Sequence, residues 1–368
     1  MLNSIFCIFI ISVIIQLLYW LCIFSKLAFY KETSRPSKAT QGVSVIVCAW
    51  NELQNLQKLI PILLSQKHPE YEIIIVDDRS NDDCYDFLLF ESFKHPNMKL
   101  VRVNDTPHHI TPKKYALSLG IKASKYEIIL LTDADCLPQS EDWITQMQQQ
   151  FTLDKQIILG YSPYTYHAGF LNFMIRYETF YTAVQYFSFT LAGMPYMGVG
   201  RNLAYTKSLF INNKGFHSHL NVMGGDDDLF INEVATSKNV AICIDKQAHV
   251  FSKPKFTFKA WYRQKKRHVS VGKHYKFRNK LMLGIMSVSQ VLFWFSLLIL
   301  IFFQNTVFFA LAGFILRTCA QIWVLQPIAK KLDTTIKWFF IPIFDLLFTI
   351  YYILIGSSVS LSKQVRWN

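Results

Sequence analysis

The chain has 368 residues, 51% of them hydrophobic, and a mean hydropathy of +0.20, which is too apolar for an ordinary soluble domain of that length. The formal charge is +13, yet residues 246–280 alone hold twelve Lys or Arg and no Asp or Glu; beside membrane spans, such a block meets anionic headgroups or phosphates rather than nucleic acid. Seven scattered Cys (Cys7, Cys22, Cys48, Cys84, Cys136, Cys243, Cys319) form no Cys-x-x-Cys and have no His partners at zinc spacing, which argues for a reducing compartment and against disulfides or a structural zinc.

Residues 5–24 are apolar apart from Ser12 and Gln16, about the ~20 residues that span a bilayer. A cleaved signal peptide would carry a basic leader, a shorter apolar run and a small-x-small site. None of these is present, so residues 1–30 read as an uncleaved anchor. Lys26, Lys31, Arg35 and Lys38 follow, and the positive-inside rule then places the next segment in the cytoplasm.

Residues 35–41 read as a linker into a domain spanning 42–250. Residues 43–48 (V-S-V-I-V-C) predict a strand closing in Ala49-Trp50-Asn51-Glu52, and 55–65 a helix. A second strand at 71–76 closes in Asp77-Asp78, followed by a helix at 86–93, a strand at 99–103 and a helix at 112–123. Residues 127–131 predict a strand buried on both faces, ending in Thr132-Asp133-Ala134-Asp135. Strands alternating with helices give an α/β fold with a doubly wound, mostly parallel sheet, its polar strand ends on one edge. Asp133 and Asp135, two apart in extended chain, face the same side, at the edge where open α/β sheets bind ligands. Hard oxygen ligands there suit Mg²⁺ or Mn²⁺, commonly completed by substrate phosphates. Either acidic pair alone is weak. Asp77-Asp78 fits equally a turn in which Ser80 and Asp82 cap the next helix, and the recurrence at successive strand ends is what gives the pattern weight.

Further along, 143–151 predict a helix and 156–161 a strand. Residues 170–191, densely aromatic but holding Arg176 and Glu178, read as an interfacial helix or one covering the substrate cleft. Gly198-Val199-Gly200-Arg201-Asn202-Leu203-Ala204 suggests backbone close to a ligand, without the strand–helix context of a dinucleotide fingerprint. Gly224-Gly225-Asp226-Asp227-Asp228 opens a helix through Ala235. Three carboxylates after two glycines exceed the usual helix-dipole partners, because like charges in contact raise one another's pKa unless a cation is near. Residues 251–280 read as a basic interfacial segment. Spans follow at 281–303, 306–325 and 338–355, with Gln304-Asn305 as a tight turn and Lys330-Lys331 back on the cytoplasmic side. The tail with Lys363 and Arg366 then lies outside, a mild violation of that rule. Arg317 and Asp345 are charges at membrane depth that pair with each other or line a polar path.

In their order, the motifs of residues 43–275 resemble those of the membrane-bound, processive-type glycosyltransferases of family 2, relatives of the cellulose, hyaluronan and ceramide-glucose synthases. The resemblance implies a GT-A fold with one N-terminal and about three C-terminal transmembrane helices. It implies a cytoplasmic catalytic face, as on a bacterial inner membrane, and a role in envelope polysaccharide or glycolipid synthesis. It puts Ala49, Asn51, Glu52, Asp77 and Asp78 at the donor's base and ribose, Lys113 and Lys114 near its diphosphate, and Asp133 with Asp135 on a divalent metal. Gly200, Arg201 and Asn202 would lie on the acceptor and diphosphate side, with Gln264, Arg267 and His268 of the Gln-x-x-Arg-Trp motif. Asp226 or Asp227 would be the general base. Asp replaces the usual Glu-Asp there, so counting from Leu229 favours Asp226 and counting from Phe230 favours Asp227. His268 in place of Trp weakens stacking on sugar or acceptor.

The implied activity is inverting transfer from a nucleotide sugar, a UDP-sugar above others, to a lipid-linked or glycan acceptor at the membrane, with Mg²⁺ or Mn²⁺. A nucleotide-binding membrane scaffold would not need both a metal pair and a base triplet. A lipid-phosphate nucleotidyltransferase would normally carry a Gly-rich loop after the first strand, and Cys48-Ala49-Trp50-Asn51-Glu52 has no glycine. A transporter is least favoured, since four spans are few. Four spans without an extra domain lean toward addition of single sugars. Sugar, acceptor and oligomeric state are not legible.

Overall fold

A computed structural model describes residues 2–31 and 41–361. Arg35, Lys38 and the rest of the predicted linker up to residue 40, and the tail with Lys363 and Arg366, lie outside the described residues. Helix α1 (Leu2–Leu18) passes through a π turn (Tyr19–Phe24) into α2 (Ser25–Ala28). Then come β1 (Val43–Ala49), α3 (Leu53–Leu64), β2 (Tyr71–Asp78), α4 (Cys84–Lys94), β3 (Met98–Val103), α5 (Pro112–Ala123) and β4 (Ile128–Leu131). They are followed by β5 (Cys136–Pro138), α6 (Trp143–Gln148), β6 (Ile157–Gly160), α7 (Phe170–Leu191), β7 (Leu203–Thr206), α8 (Lys207–Asn212), α9 (Asp228–Val234), β8 (Val240–Cys243) and β9 (Val250–Ser252). Helices α10 (Phe258–Val271), α11 (Phe277–Leu300), α12 (Gln304–Lys331) and α13 (Ile341–Leu361) complete the chain. These form two compact units, a helical one of Met1–Lys31, Phe180–Met194 and Gln264–Asn368, and a sheet-bearing one of Glu32–Thr179 and Pro195–Arg263.

The sheet has seven strands in the order β3-β2-β1-β4-β7-β6-β8, and only β7 runs antiparallel to its neighbours. Val45, Val47, Ile73, Ile75 and Leu130 pack on one face against Leu56, Leu59, Ile60 and Leu63 of α3 and Trp143, Ile144 and Met147 of α6. The α3 residues recur at helical spacing, one apolar stripe, and each such fully buried side chain contributes about 1.5–3 kcal/mol. Ile46 and Val76 fill the other face under α5. Gly120 permits that approach, because a Cβ there would lie 2.7 Å from Ile46 and 2.9 Å from Val76. Coverage on both faces is why these strands read as continuous apolar runs rather than alternating ones.

Several expectations change. Strand β2 does not close at Val76 but runs through Asp77 and Asp78, paired with Arg102 and Val103, so the two carboxylates point to opposite faces. Conversely, the chain leaves the sheet after Leu131, and the Cys136 N–H donates to the Asp133 carbonyl (3.1 Å). A turn, not extended-strand alternation, brings Asp133 and Asp135 together. Next, β5 and β9 form a separate antiparallel pair. Strands β5, β7, β8 and β9, three or four residues each, are too short to show a period in sequence. Helix α7, expected to be interfacial or to cover the cleft, is packed inside the protein over its second half: Phe180, Ala183, Val184, Tyr186, Phe187 and Phe189 are buried, and Phe189 packs edge-on against Phe24 and Tyr19.

In the helical unit, Leu2–Ala28, Phe277–Leu300, Gln304–Lys331 and Trp338–Val359 are long and apolar enough to cross a membrane. The turn before α12 falls at residues 301–303, and Gln304-Asn305 begins the helix instead of forming the turn. Arg317 and Asp345 pair: Arg317 donates to Asp345 from Nη1 (2.8 Å) and Nη2 (3.1 Å). Trp294 (2.7 Å), Gln321 (2.9 Å) and Gln290 (3.2 Å) donate to the same carboxylate. Gln16 accepts from Arg317 (3.1 Å) and donates to Ser289 (2.7 Å). This hub joins α1, α11, α12 and α13.

Candidate active site

The C-terminal edge of the sheet opens into a crevice lined by Ile46, Cys48, Lys113, Leu117, Leu131, Thr132, Asp133, Gly200 and Asp226. Lys113 enters from the first turn of α5, where Pro112 occupies the position that tolerates it best. Its Nζ lies 3.0 Å from Asp133 and 3.1 Å from Asp226. Burial works against the Lys113 ammonium, but Asp133, Asp226 and Asp227 outweigh it and hold its pKa well above the ordinary lysine value. In return, Lys113 overrides the burial of Asp226 and holds that carboxyl below its usual range.

Gly224 (φ 79°) and Gly225 (φ 77°) are successive left-handed residues, a path other residues follow only under strain. They turn the chain so that Asp226 enters the crevice while Asp227 caps α9. Asp227 accepts from the Asp228 N–H (2.8 Å) and from the Gly200 N–H (2.7 Å), one bond on each oxygen. Burial and the neighbouring Asp226 push the Asp227 carboxyl up. The register left open by the sequence thus has a geometric distinction: Asp226 faces the crevice, and Asp227 is engaged by backbone.

Lys114, expected near the diphosphate, is not among the residues lining the crevice. It is 1% exposed and donates to the carbonyls of His219 (2.5 Å) and Val222 (2.7 Å), fastening the loop that leads to Gly224. Burial pulls its pKa down to about 8, against the carboxylates of Asp226, Asp228 and Asp227. Burial and Lys114 pull His219 down to about 4.

Asp133, Asp135 and Cys136 bring potential ligand atoms within 4.8 Å of one another. Burial, with Asp135 and Asp133 beside it, pushes the Cys136 thiol well above its ordinary pKa, and it donates to Asp135 (3.4 Å). Thiolates select soft metals and carboxylates hard ones, so the carboxylate pair is what fits Mg²⁺ or Mn²⁺, with positions left for water and phosphate. Arg201 stacks over Tyr164 at 4.5 Å, and its Nη1 is buried without a hydrogen-bond partner. A guanidinium N–H unmet beside a carboxylate pair suits a diphosphate oxygen.

At the other end, the loops after β1 and β2 are stitched together. The Asn51 N–H donates to Ser80 (3.0 Å), the Asn81 N–H to Asn51 (2.9 Å) and the Leu53 N–H to Asp82 (3.1 Å). Ser80 and Asp82 thus hold the neighbouring loop. Asp77, in register with Ala49, is 1% exposed, and neither of its carboxylate oxygens has a partner. Asp78 binds Arg79 (2.9 Å). Burial pushes the Glu52 carboxyl up, with Asp135 close enough to add to the effect.

Asn202, expected on the acceptor side, keeps its side chain inside the protein. It is fully buried, donating to the carbonyls of Tyr161 (2.9 Å) and Ala248 (2.8 Å) and accepting from the Trp143 indole (3.0 Å). Gln264, Arg267 and His268 fall on α10 within the helical unit and are not among the residues lining the crevice. Sequence reasoning missed Cys48, Thr132 and Tyr164. The phase of β1, with Ile46 and Cys48 on one face, could have found Cys48, and Thr132 adjoins Asp133, but nothing local marks Tyr164.

Residues 44–211 match the family described as Glycosyl transferase family 2. Over 99 residues the chain is 33% identical to the poly-beta-1,6-N-acetyl-D-glucosamine synthase of Staphylococcus epidermidis, a match covering 26% of this chain and 22% of that protein. Over 193 residues it is 27% identical to glycosyltransferase AglE of Haloferax volcanii, covering 50% of this chain and 58% of that one. The chain therefore spans less than two thirds of the length of either relative. Among solved structures, mannosyltransferase PcManGT from Pyrobaculum calidifontis, in complex with GDP-Man and Mn²⁺, aligns over 100% of this chain and 94% of its own at 16% identity, with a TM-score of 0.57. That is a likeness of fold: a GT-A-type, mostly parallel seven-stranded sheet with one N-terminal and three C-terminal long apolar helices.

Proposed function

From the match of residues 44–211 to glycosyltransferase family 2, we propose that this chain is a membrane-bound inverting enzyme of that family. It moves a sugar from a nucleotide donor to a lipid-linked or glycan acceptor, one residue at a time, on the cytoplasmic face. The observation that carries this reading is the position of Lys113 between Asp133 and Asp226, which brings the metal-type carboxylates and a base into one crevice.

Asp226 takes the proton of an acceptor hydroxyl, whose oxygen attacks the anomeric carbon as the bond to the diphosphate breaks on the opposite face. One displacement inverts the anomeric configuration. Asp135 and Asp133 would hold a divalent ion, which supplies positive charge to the leaving diphosphate. Lys113 and Arg201 add cationic charge at the same end, where negative charge grows. Asp77, an acceptor without a donor, suits a ring N–H of the base such as that of uracil, in keeping with a UDP-sugar. His268, where related motifs have the larger indole of Trp, argues against carrying over the specificity of the polymer synthases.

The test is release of nucleoside diphosphate by membranes carrying the wild type or Asp135→Ala. The donors are UDP-sugars and GDP-mannose, with lipid extract as acceptor and Mg²⁺ or Mn²⁺ supplied or chelated. Release from one donor, lost on chelation and in the variant, is expected. Binding of nucleotide with no release from any donor would overturn the transferase reading in favour of a scaffold.

A further inference from the structure

Two loops of the sheet-bearing unit leave large aromatic rings in the open. Residues 165–170 lead into α7 and residues 253–257 into α10. Their bases are stitched together, since Tyr164 and Ser252 form a parallel bridge and the Thr165 N–H donates to the Ser252 carbonyl (3.0 Å). Further out, the His167 and Phe256 rings meet edge-on with centroids 5.3 Å apart. On this surface Tyr166 is 72% exposed, Phe170 69%, Phe256 72% and Phe258 63%. A contiguous apolar patch rimmed by polar residues marks an interaction site.

The charge that these two segments carry has one sign, and the carboxylate near Lys253 and Lys255 comes from elsewhere, Glu52. Lys253, Lys255, Lys259 and Arg263 are exposed, Arg176 lies 5.3 Å from the Tyr166 ring, and residues 161–177 and 246–263 contain no Asp or Glu. The exposed pair Phe90 and Phe93 differs, because it shares α4 with Asp86 and Glu91. Aromatic rings among lysines are what the headgroup zone of an anionic leaflet receives: rings at the interface, ammonium groups on phosphates. The core of a protein–protein interface would instead be depleted of lysine. A bilayer is also within reach of the chain. The mostly helical stretch from Phe258 to the first residue of the span at Phe277 covers on the order of 30 Å.

We propose that Tyr166, Phe170, Phe256 and Phe258, with Lys253, Lys255 and Lys259, form a face that docks on the headgroup zone of an anionic leaflet, in addition to the helices that cross the bilayer. This moves the interfacial role from the second half of α7, which is buried, to the two loops. Ser252 pairs with Cys136, the residue after Asp135, so the docked face borders the loop that carries the metal-type carboxylates.

The test places the photo-crosslinking residue p-benzoylphenylalanine at Phe256, at Phe170 or, as control, at Phe93 of the full chain. Each is reconstituted in nanodiscs of phosphatidylcholine, alone or mixed with phosphatidylglycerol. Mass spectrometry should find lipid adducts at Phe256 and Phe170 several-fold above Phe93, and more of them with phosphatidylglycerol. Lys253→Gln/Lys255→Gln/Lys259→Gln should remove that increase. Adducts no more frequent than at Phe93, or formed mainly with another protein, would overturn the proposal, and equal yields in both lipids would overturn its anionic part. Crosslinking needs no sugar transfer, so its failure is separable from failure of the transferase reading.

Discussion

In the sheet-bearing unit, one lysine is shared by two carboxylates at the mouth of a crevice, the side chains of Lys113 and Asp133 being 44% and 33% exposed and that of Asp226 10%. In the helical unit, Arg317 and Asp345 pair at 1% and 5% exposure, and five donors converge on the Asp345 carboxylate. Both contacts are short ion pairs, but they do different things. The first sits where water and ligands compete for every partner, so it can be exchanged when an anion and a cation arrive. The second has lost its water and can only be kept whole, because a buried charge without its partner is expensive. Burial, more than distance, separates a site from a strut.

Asp226→Asn should sharpen that contrast most. Removal of a general base lowers turnover by about 10²–10⁴-fold, with the unfolding temperature little changed because Lys113 keeps Asp133 as its partner. A larger loss from Asp227→Asn than from Asp226→Asn would reverse the assignment made from their hydrogen bonds.

Arg317→Met should act the other way. It strands Asp345 among apolar helices and costs about 3–5 kcal/mol of stability, read as a lower unfolding temperature in nanodiscs. Arg317→Met/Asp345→Leu should recover most of that loss, since neither charge remains. A double variant as unstable as the single would show that the hub contributes by packing, not by its charges.

The smallest expected effect tests Lys114, which combines both styles by being buried yet beside the crevice. Its ammonium faces Asp226, Asp227, Asp228 and His219 and gives up its proton near pH 8 rather than at the usual lysine value. It is therefore charged below about pH 8 and neutral above. Turnover should decline as pH rises through that value, several-fold at most. Lys114→Arg stays charged and should carry the alkaline limb upward. An unmoved limb would mean that this charge does not hold the Asp226 loop in place.

Much of the architecture was legible in the sequence because burial on both faces writes long apolar runs. Strands β1, β2 and β4 carry that mark, and the four spans carry unbroken apolar runs of their own. The individual roles were harder. Lys113 and Lys114 look equivalent as letters, but neighbours on a helix point about 100° apart, so one reaches the crevice and the other the loop behind it. Asp226 and Asp227 divide their tasks through the φ angles of two preceding glycines. Asn202 looked like a ligand-facing residue because its partners, Trp143, Tyr161 and Ala248, are between 41 and 59 residues away. Asp77 and Asp78 were read as a strand end because acidic residues are uncommon inside strands, whereas β2 carries both within its pairing.

The Gln16–Arg317 bond joins residues 301 positions apart. At ribosomal rates of about 5–20 residues per second, the first helix waits roughly 15–60 s for its partner to be made. During that interval the Gln16 amide has no Arg317 to bond, and for most of it no Ser289. Newborn chains therefore pass through a stage in which one span is in place and its companions are not, and quality-control proteases and membrane insertases have that long to compete for it.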